Sequence, residues 1–276
     1  MNDSIIISAA YGYGVKELHR FLHSAIHKTN SQIWLLTLES VNNELITLAN
    51  SNPRIQISRI SQQIIDQYTK DKIGPAVYRY LHARLLLGEI SKSTHSVPMV
   101  LLCDSRDLFF QCDPFATIVK PITEVFVALE PELIAKCPVN SGWIREMYPE
   151  YYDQFMERPI ICSGTTLSNS KLMLMYLEEV ATEIKKFSNS KIAIPHGGDQ
   201  GIHNFLIHSG RIPKIRMCSN ESSFFITCHH QKKFTFDRHG RILNKDGSVC
   251  PIVHQYDRVA SLFDGAFFRS CFGRHY

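Results

Sequence analysis

The first sixty residues alternate short apolar runs with stretches of helical periodicity, and that alternation restricts the fold more than any other feature. "SIIISAA" reads as a strand, and "VKELHRFLHSAIHK" places Val15, Leu18, Phe21, Leu22 and Ile26 on one helical face. "QIWLLTLE" is a second strand, "VNNELITLANS" a helix stopping at Asn52-Pro53, and "RIQISRI" a third strand. Strand, helix, strand, helix, strand predicts an α/β domain built on a parallel sheet. Further along, "GPAVYRYLHARLLLGEI" reads as a helix starting near Pro75 and ending near Gly88. "VPMVLLCD", "EVFVALEP" and "PIICSG" read as strands, and "SKLMLMYLEEVATEIKKF" and "GGDQGIHNFLIHSG" as helices. "NSGWIREMYPEYYDQFM" is aromatic and irregular, and predicts a flap or acceptor wall. From Phe224 onward, alternation and turn signals at Asp237–Gly240 and Lys245-Asp246-Gly247 predict a β-rich C-terminal end. No linker or internal repeat divides the chain, so residues 1–276 read as a single domain.

"MVLLCDSRDLFFQCDPF" is the most informative stretch. An apolar run of the fully buried type ends on Asp104, Arg106 and Asp107, with Asp113 close behind. Charged groups at a buried strand end need partners or a metal. In open α/β sheets ligands bind beyond the carboxyl ends of the strands. Two carboxylates there suit a hard divalent cation, Mg²⁺ or Mn²⁺, that bridges to substrate phosphates. Helix or turn caps with a local Asp–Arg pair through Arg106 account for the same residues without a metal.

Composition removes several function classes. Hydrophobic content of 44% and charged content of 20% are ordinary for a globular chain. A net charge of +4, with no basic run interleaved with aromatics, argues against a nucleic-acid partner. The N-terminus lacks a basic start with a long apolar stretch, and no run approaches the ~18 apolar residues of a membrane span. A soluble, cytoplasmic protein with no integral membrane segment is expected. The eight cysteines contain no CxxC pair and read as free thiols in a reducing compartment. "CHH" at Cys228–His230 lacks a second ligand pair at tight spacing, so zinc is not expected there.

Several segments together resemble nucleotide-sugar-dependent glycosyltransferases of the GT-A fold, with features similar to the glycogenin-like family 8 enzymes. "LLCDSRDLFFQCDPF" resembles their D-x-D region, with the second acid displaced by one residue. "PAVYRYLHARLLL" resembles the preceding helix, whose basic residue reaches the nucleotide. "ICSGTTLSNS" resembles the Asn-Ser-Gly segment beside the sugar, with Cys162 where asparagine is usual. "GGDQGIHNFL" resembles the Asp-Gln helix start, and "VHQYDR" the late histidine segment that closes on the metal. The likeness runs from about residue 5 to 258.

The resemblance implies a Rossmann-like mixed sheet flanked by helices. It implies a metal-dependent transfer, retaining in stereochemistry, from a UDP- or GDP-sugar donor to a glycan or protein acceptor. It implies Mn²⁺ or Mg²⁺ held by Asp104, Asp107 and His254, which stand 254 minus 104, or 150, residues apart. It implies donor contacts from Ala9, Ala10, Tyr11, Arg79, Asp104, Ser105, Arg106, Ser163, Gly164 and Arg258. Asp199 and Gln200 are the implied catalytic pair, although Asp199 also reads as a plain N-cap. Arg79 also reads as a surface helix arginine, and His254 as a surface histidine. Trp143, Tyr148, Tyr151 and Tyr152 read either as an acceptor platform or as packing. Two other functions fit the acids alone: a metal-dependent nucleotidyltransferase or phosphohydrolase, and a non-catalytic carbohydrate-binding relative. The first would want a glycine-rich phosphate loop, of which "YGYG" is a poor version.

Overall fold

The computed structural model describes residues 4–70, 73–93, 96–118, 121–190, 194, 196–221 and 224–259. The N-terminal half follows the expected alternation: β1 Ser4–Ala9, α1 Val15–Lys28, β2 Gln32–Leu38, α2 Asn43–Ser51 and β3 Ile55–Ile60. Asn42 caps α2 by accepting from the Glu44 N–H, and Asn52 ends it. Helix α3, Gln62–Lys70, follows. Helix α4 runs Pro75–Ser93, so Gly88 lies inside it rather than at its end. Leucines and isoleucine on both sides of Gly88 carry the helix through.

Then come β4 Met99–Cys103, β5 Leu108–Phe110 and β6 Val125–Leu133. The aromatic stretch expected to be irregular is mostly helical, with α5 Pro138–Met147 and α6 Tyr152–Phe155 joined by a short 3₁₀ turn. Pro138 supplies the first-turn position a helix accepts. The strand read as "PIICSG" extends to eleven residues, β7 Pro159–Asn169, followed by α7 Ser170–Ser190, α8 Gly198–His208 and β8 Ile215–Cys218. Short strands complete the described chain: β9 Phe225–Thr227, β10 Thr235–Phe236, β11 Ile242–Leu243 and β12 Ile252–His254.

Seven strands form a mixed central sheet in the order β3-β2-β1-β4-β7-β6-β8. All neighbours are parallel except β7, which runs antiparallel to both β4 and β6. The sheet is therefore mixed, not purely parallel. Alternation divides its side chains between two layers. Ile5, Ile7, Val100 and Leu102 pack under α4, α7 and α8. Ile6, Met99, Leu101 and Cys103 face α1 and α2. A second sheet, β5-β12-β9, shares that latter cluster through Leu108, Phe110, Phe225 and Ile252. The C-terminal β-rich reading is met by this sheet and by the β10–β11 hairpin, which turns at Asp237–Gly240.

Among the described residues, no helix is long and apolar enough to cross a membrane. Seven cysteines are free thiols, six of them buried; Cys271 lies outside the described residues.

Candidate active site

Strands β1 and β4 are parallel neighbours, so their carboxyl ends open on the same side. There Ala9, Tyr11, Arg79, Asp104–Asp107, Trp143, Ser163, Gly197, Asp199, Gln200 and Arg258 line a cleft of about 440 Å³. That volume suits a small organic ligand.

Asp104 is the first residue beyond β4, and its N–H donates to the Gly164 carbonyl at 2.9 Å. Chain crossing explains how His254 reaches it. Strand β12 pairs antiparallel with β5, setting His254 opposite Leu108, the neighbour of Asp107. The Gln255 N–H then donates to the Asp107 carbonyl at 2.7 Å. His254 Nε2 lies 3.2 Å from Asp104 Oδ2 and 3.6 Å from Asp107 Oδ1. The other ring nitrogen, Nδ1, contacts Cys162 Sγ at 3.4 Å. His254 is 1% exposed, which removes the surface-histidine reading.

Gly164 makes this approach possible. A Cβ there would collide with His254 Cε1 and sit 2.5 Å from Asp104 Oδ2 and 2.6 Å from His254 Nε2. Three oxygen and nitrogen atoms from Asp104, Asp107 and His254 converge within 4.8 Å. Two carboxylates and an imidazole whose second nitrogen is held by a thiol make a donor set that fits a divalent cation. Burial would lower the His254 pKa, but Cys162 and Asp107 outweigh it and hold the imidazole well above the usual histidine range. Burial likewise opposes ionisation of Asp107, but His254 reverses the effect and lowers its carboxyl to about 2.

Arg79 is buried on α4 and forks between two carboxylates. Its Nη1 pairs with Asp104 Oδ1, and its Nη2 donates to Asp199 Oδ2 at 2.8 Å. Nη2 also lies 3.0 Å from the Tyr80 hydroxyl, which donates to the Ser163 carbonyl at 3.2 Å. Arg79 is therefore no surface arginine, and its planar fork is matched to two acids at once.

Helix α8 starts one residue before Asp199, with Gly197 at the cap in a left-handed conformation (φ 75°). Asp199 thus lies inside the first turn rather than at the N-cap. Burial raises its pKa, against the opposing pull of Arg79 and Ser163. A Cβ on Gly197 would sit 2.5 Å from Trp143 Cζ2, so this glycine also lets the indole close over the helix start. The Trp143 Nε1–H donates to the His196 carbonyl at 3.1 Å. The Gln200 side chain donates to Asn140 Oδ1 at 2.9 Å and lies near the Ser163 N–H and hydroxyl, each at 3.4 Å.

The remaining expected residues divide. Ala9 and Tyr11 line the cleft; the Ser105 hydroxyl donates to the Ala9 carbonyl at 2.5 Å, and Tyr11 bonds His82 Nδ1 at 3.0 Å. Ala10 instead lines a separate cavity of about 180 Å³, and its N–H is committed to the Leu36 carbonyl. Arg106 and Arg258 reach the rim, where both pair with Asp257. Asp113 forms a turn with the Phe115 N–H and takes no part.

Of Trp143, Tyr148, Tyr151 and Tyr152, Trp143 alone lines the cleft. Tyr148 stacks on Phe205 in the core, with ring centroids 3.9 Å apart, Tyr151 packs on Phe155, and Tyr152 pairs with Arg145. Tyr80, Asn140 and Glu130 join the site's hydrogen bonds without having been singled out. Nothing in the local sequence marks them; each acts through a partner far along the chain.

Neither a protein-family model nor a curated protein matches this chain.

Proposed function

We propose that the protein is a metal-dependent glycosyltransferase of GT-A type, moving a sugar from a UDP- or GDP-sugar to a glycan or protein hydroxyl with retention. The observation that carries the reading is the meeting of Asp104 and Asp107 with His254, which lies 150 residues after Asp104, at the mouth of a cleft that also holds Arg79, Asp199 and Gln200. The mixed sheet, and the small second sheet that delivers His254, support the GT-A reading.

In this proposal Asp104, Asp107 and His254 hold Mn²⁺ or Mg²⁺, which supplies positive charge to the departing diphosphate. Arg106 and Arg258 at the rim attract the diphosphate. Arg79 fixes the Asp104 and Asp199 carboxylates relative to one another, and Gly164 leaves room for the donor set. The bond between the sugar's anomeric carbon and the phosphate oxygen breaks, and the acceptor oxygen bonds to the same carbon. The acceptor proton leaves on the diphosphate. Asp199, beside Gln200 and Ser163, steadies the positive charge that develops on the sugar. Trp143 forms an apolar wall on the acceptor side.

The test is a thermal-shift screen of UDP, GDP and CMP with and without Mn²⁺. Stabilisation by UDP or GDP only when Mn²⁺ is present is the expected result. No nucleotide response, or metal-independent stabilisation by a free sugar, would overturn the reading.

A further inference from the structure

We propose a second, zinc-type metal site, formed by Glu130, His229 and His230 and distinct from the aspartate cluster. Glu130 stands near the end of β6, where the β6–β7 ladder is irregular between Leu129 and Leu133. Such irregularities re-aim side chains. The carboxylate is 1% exposed, yet its Oε2 has no hydrogen-bond partner. A buried, unpaired carboxylate oxygen is expensive. What faces it is a pair of imidazoles: His229 Nδ1 at 3.5 Å and His230 Nε2 at 3.8 Å. His230 Nε2 is also buried without a hydrogen-bond partner. All three donor atoms fall within 4.8 Å of one another.

These separations are too long for good hydrogen bonds and fit ligation instead. In a tetrahedron with bonds of about 2.0–2.1 Å, neighbouring ligand atoms stand about 3.3–3.4 Å apart. Two imidazoles and one carboxylate are a borderline-soft donor set that favours Zn²⁺ over Mg²⁺. The two-aspartate cluster is harder. The supporting shell is built as well. Glu130 Oε1 accepts from Gln200 Nε2 at 3.4 Å. The histidine turn is held by Asn220, which accepts from the Thr227 N–H at 2.9 Å and donates to the Thr227 carbonyl at 2.8 Å. His229 and His230 are part-exposed, at 39% and 26%, so an ion can enter and water can complete its coordination. Glu130 lies 99 residues before His229 (229 minus 130), which is why the tight "CHH" spacing by itself shows no second ligand.

The experiment is a Co²⁺ titration of the metal-stripped full chain, read by visible absorption and competed with Zn²⁺. Tetrahedral cobalt absorbs strongly, and octahedral cobalt on an aspartate-rich site absorbs weakly. The wild type should show the strong band, lost on adding Zn²⁺. Asp104→Asn should keep it. Glu130→Gln and His230→Ala should each lose it, with Co²⁺ affinity weakened about tenfold or more. Circular dichroism confirms folding; should Glu130→Gln fail to fold, the part-exposed His229→Ala and His230→Ala carry the test. Absence of a strong band in the folded wild type would overturn the proposal. So would an unchanged band in both histidine variants, or loss of the band in Asp104→Asn alone. A band that persists in excess Zn²⁺ would also overturn it, because the cobalt would then sit in a site that does not prefer zinc.

Discussion

Replacing Gly164 with alanine tests the site by adding one methyl group. Its φ is not in the left-handed region, so the obstacle is space alone. Ordinary contact begins near 3.4 Å; the new Cβ would lie 2.5 Å from Asp104 Oδ2 and 2.6 Å from His254 Nε2. The neighbours must retreat by 3.4 minus 2.5 and 3.4 minus 2.6, or 0.9 and 0.8 Å. His254 is 1% exposed and pinned by Cys162, so it has little room, and Asp104 must swing outward. A displacement of this size is enough for about a 100-fold loss in a positioned site. With Mn²⁺ at 100 times the wild-type Kd, binding stabilises by about 2.7 kcal/mol; after a 100-fold loss, only about 0.4 kcal/mol remains. For 276 residues the unfolding entropy is about 0.6 kcal/mol/K, so the Mn²⁺-induced rise in Tm should fall from about 5 °C to under about 1 °C. The assay is a Tm measurement at fixed Mn²⁺, with circular dichroism confirming the fold. An alanine variant that keeps the full Mn²⁺ shift would refute the argument that Gly164 makes room for the cluster.

Arg79→Lys keeps the charge but loses the fork, and a single ammonium should not hold both Asp104 and Asp199; donor-dependent turnover should fall about 100-fold, read by release of the nucleoside diphosphate. Tyr148→Ala should cost about 3–5 kcal/mol in urea unfolding because it empties a stacked core site, whereas Trp143→Ala should leave stability near wild type and weaken acceptor binding. Burial lowers the pKa of His82 from 6.5 to about 4 and that of His203 to about 3. The unfolded chain therefore binds more protons at these two histidines between those values and 6.5, so their contribution to stability should be full above about pH 6.5 and decline as pH falls toward 4. Urea midpoints should record that decline, and His82→Gln should flatten part of it; identical slopes would refute the assignment.

The sequence by itself determined the elements whose pattern is local. The helical face of Val15–Lys28, the stop of the second helix at Asn52-Pro53, and the apolar run ending at Asp104 are set by neighbours a few residues apart, and local pattern displays them directly. The aromatic stretch misled because α5 draws its fit from helix packing, with Tyr148 serving the core rather than a ligand. What only the tertiary structure decided is which distant side chains share an atom's neighbourhood. His254 meets Asp107 because β12 pairs with β5, and Glu130 meets His229 because the chain after β9 turns back toward β6. Arg79 lies between Asp104 and Asp199 because α4 packs near the start of α8. Side-chain chemistry is written into the sequence, but the distances that turn two carboxylates and an imidazole into one site arise only when long-range strand pairing and helix packing close the intervening chain.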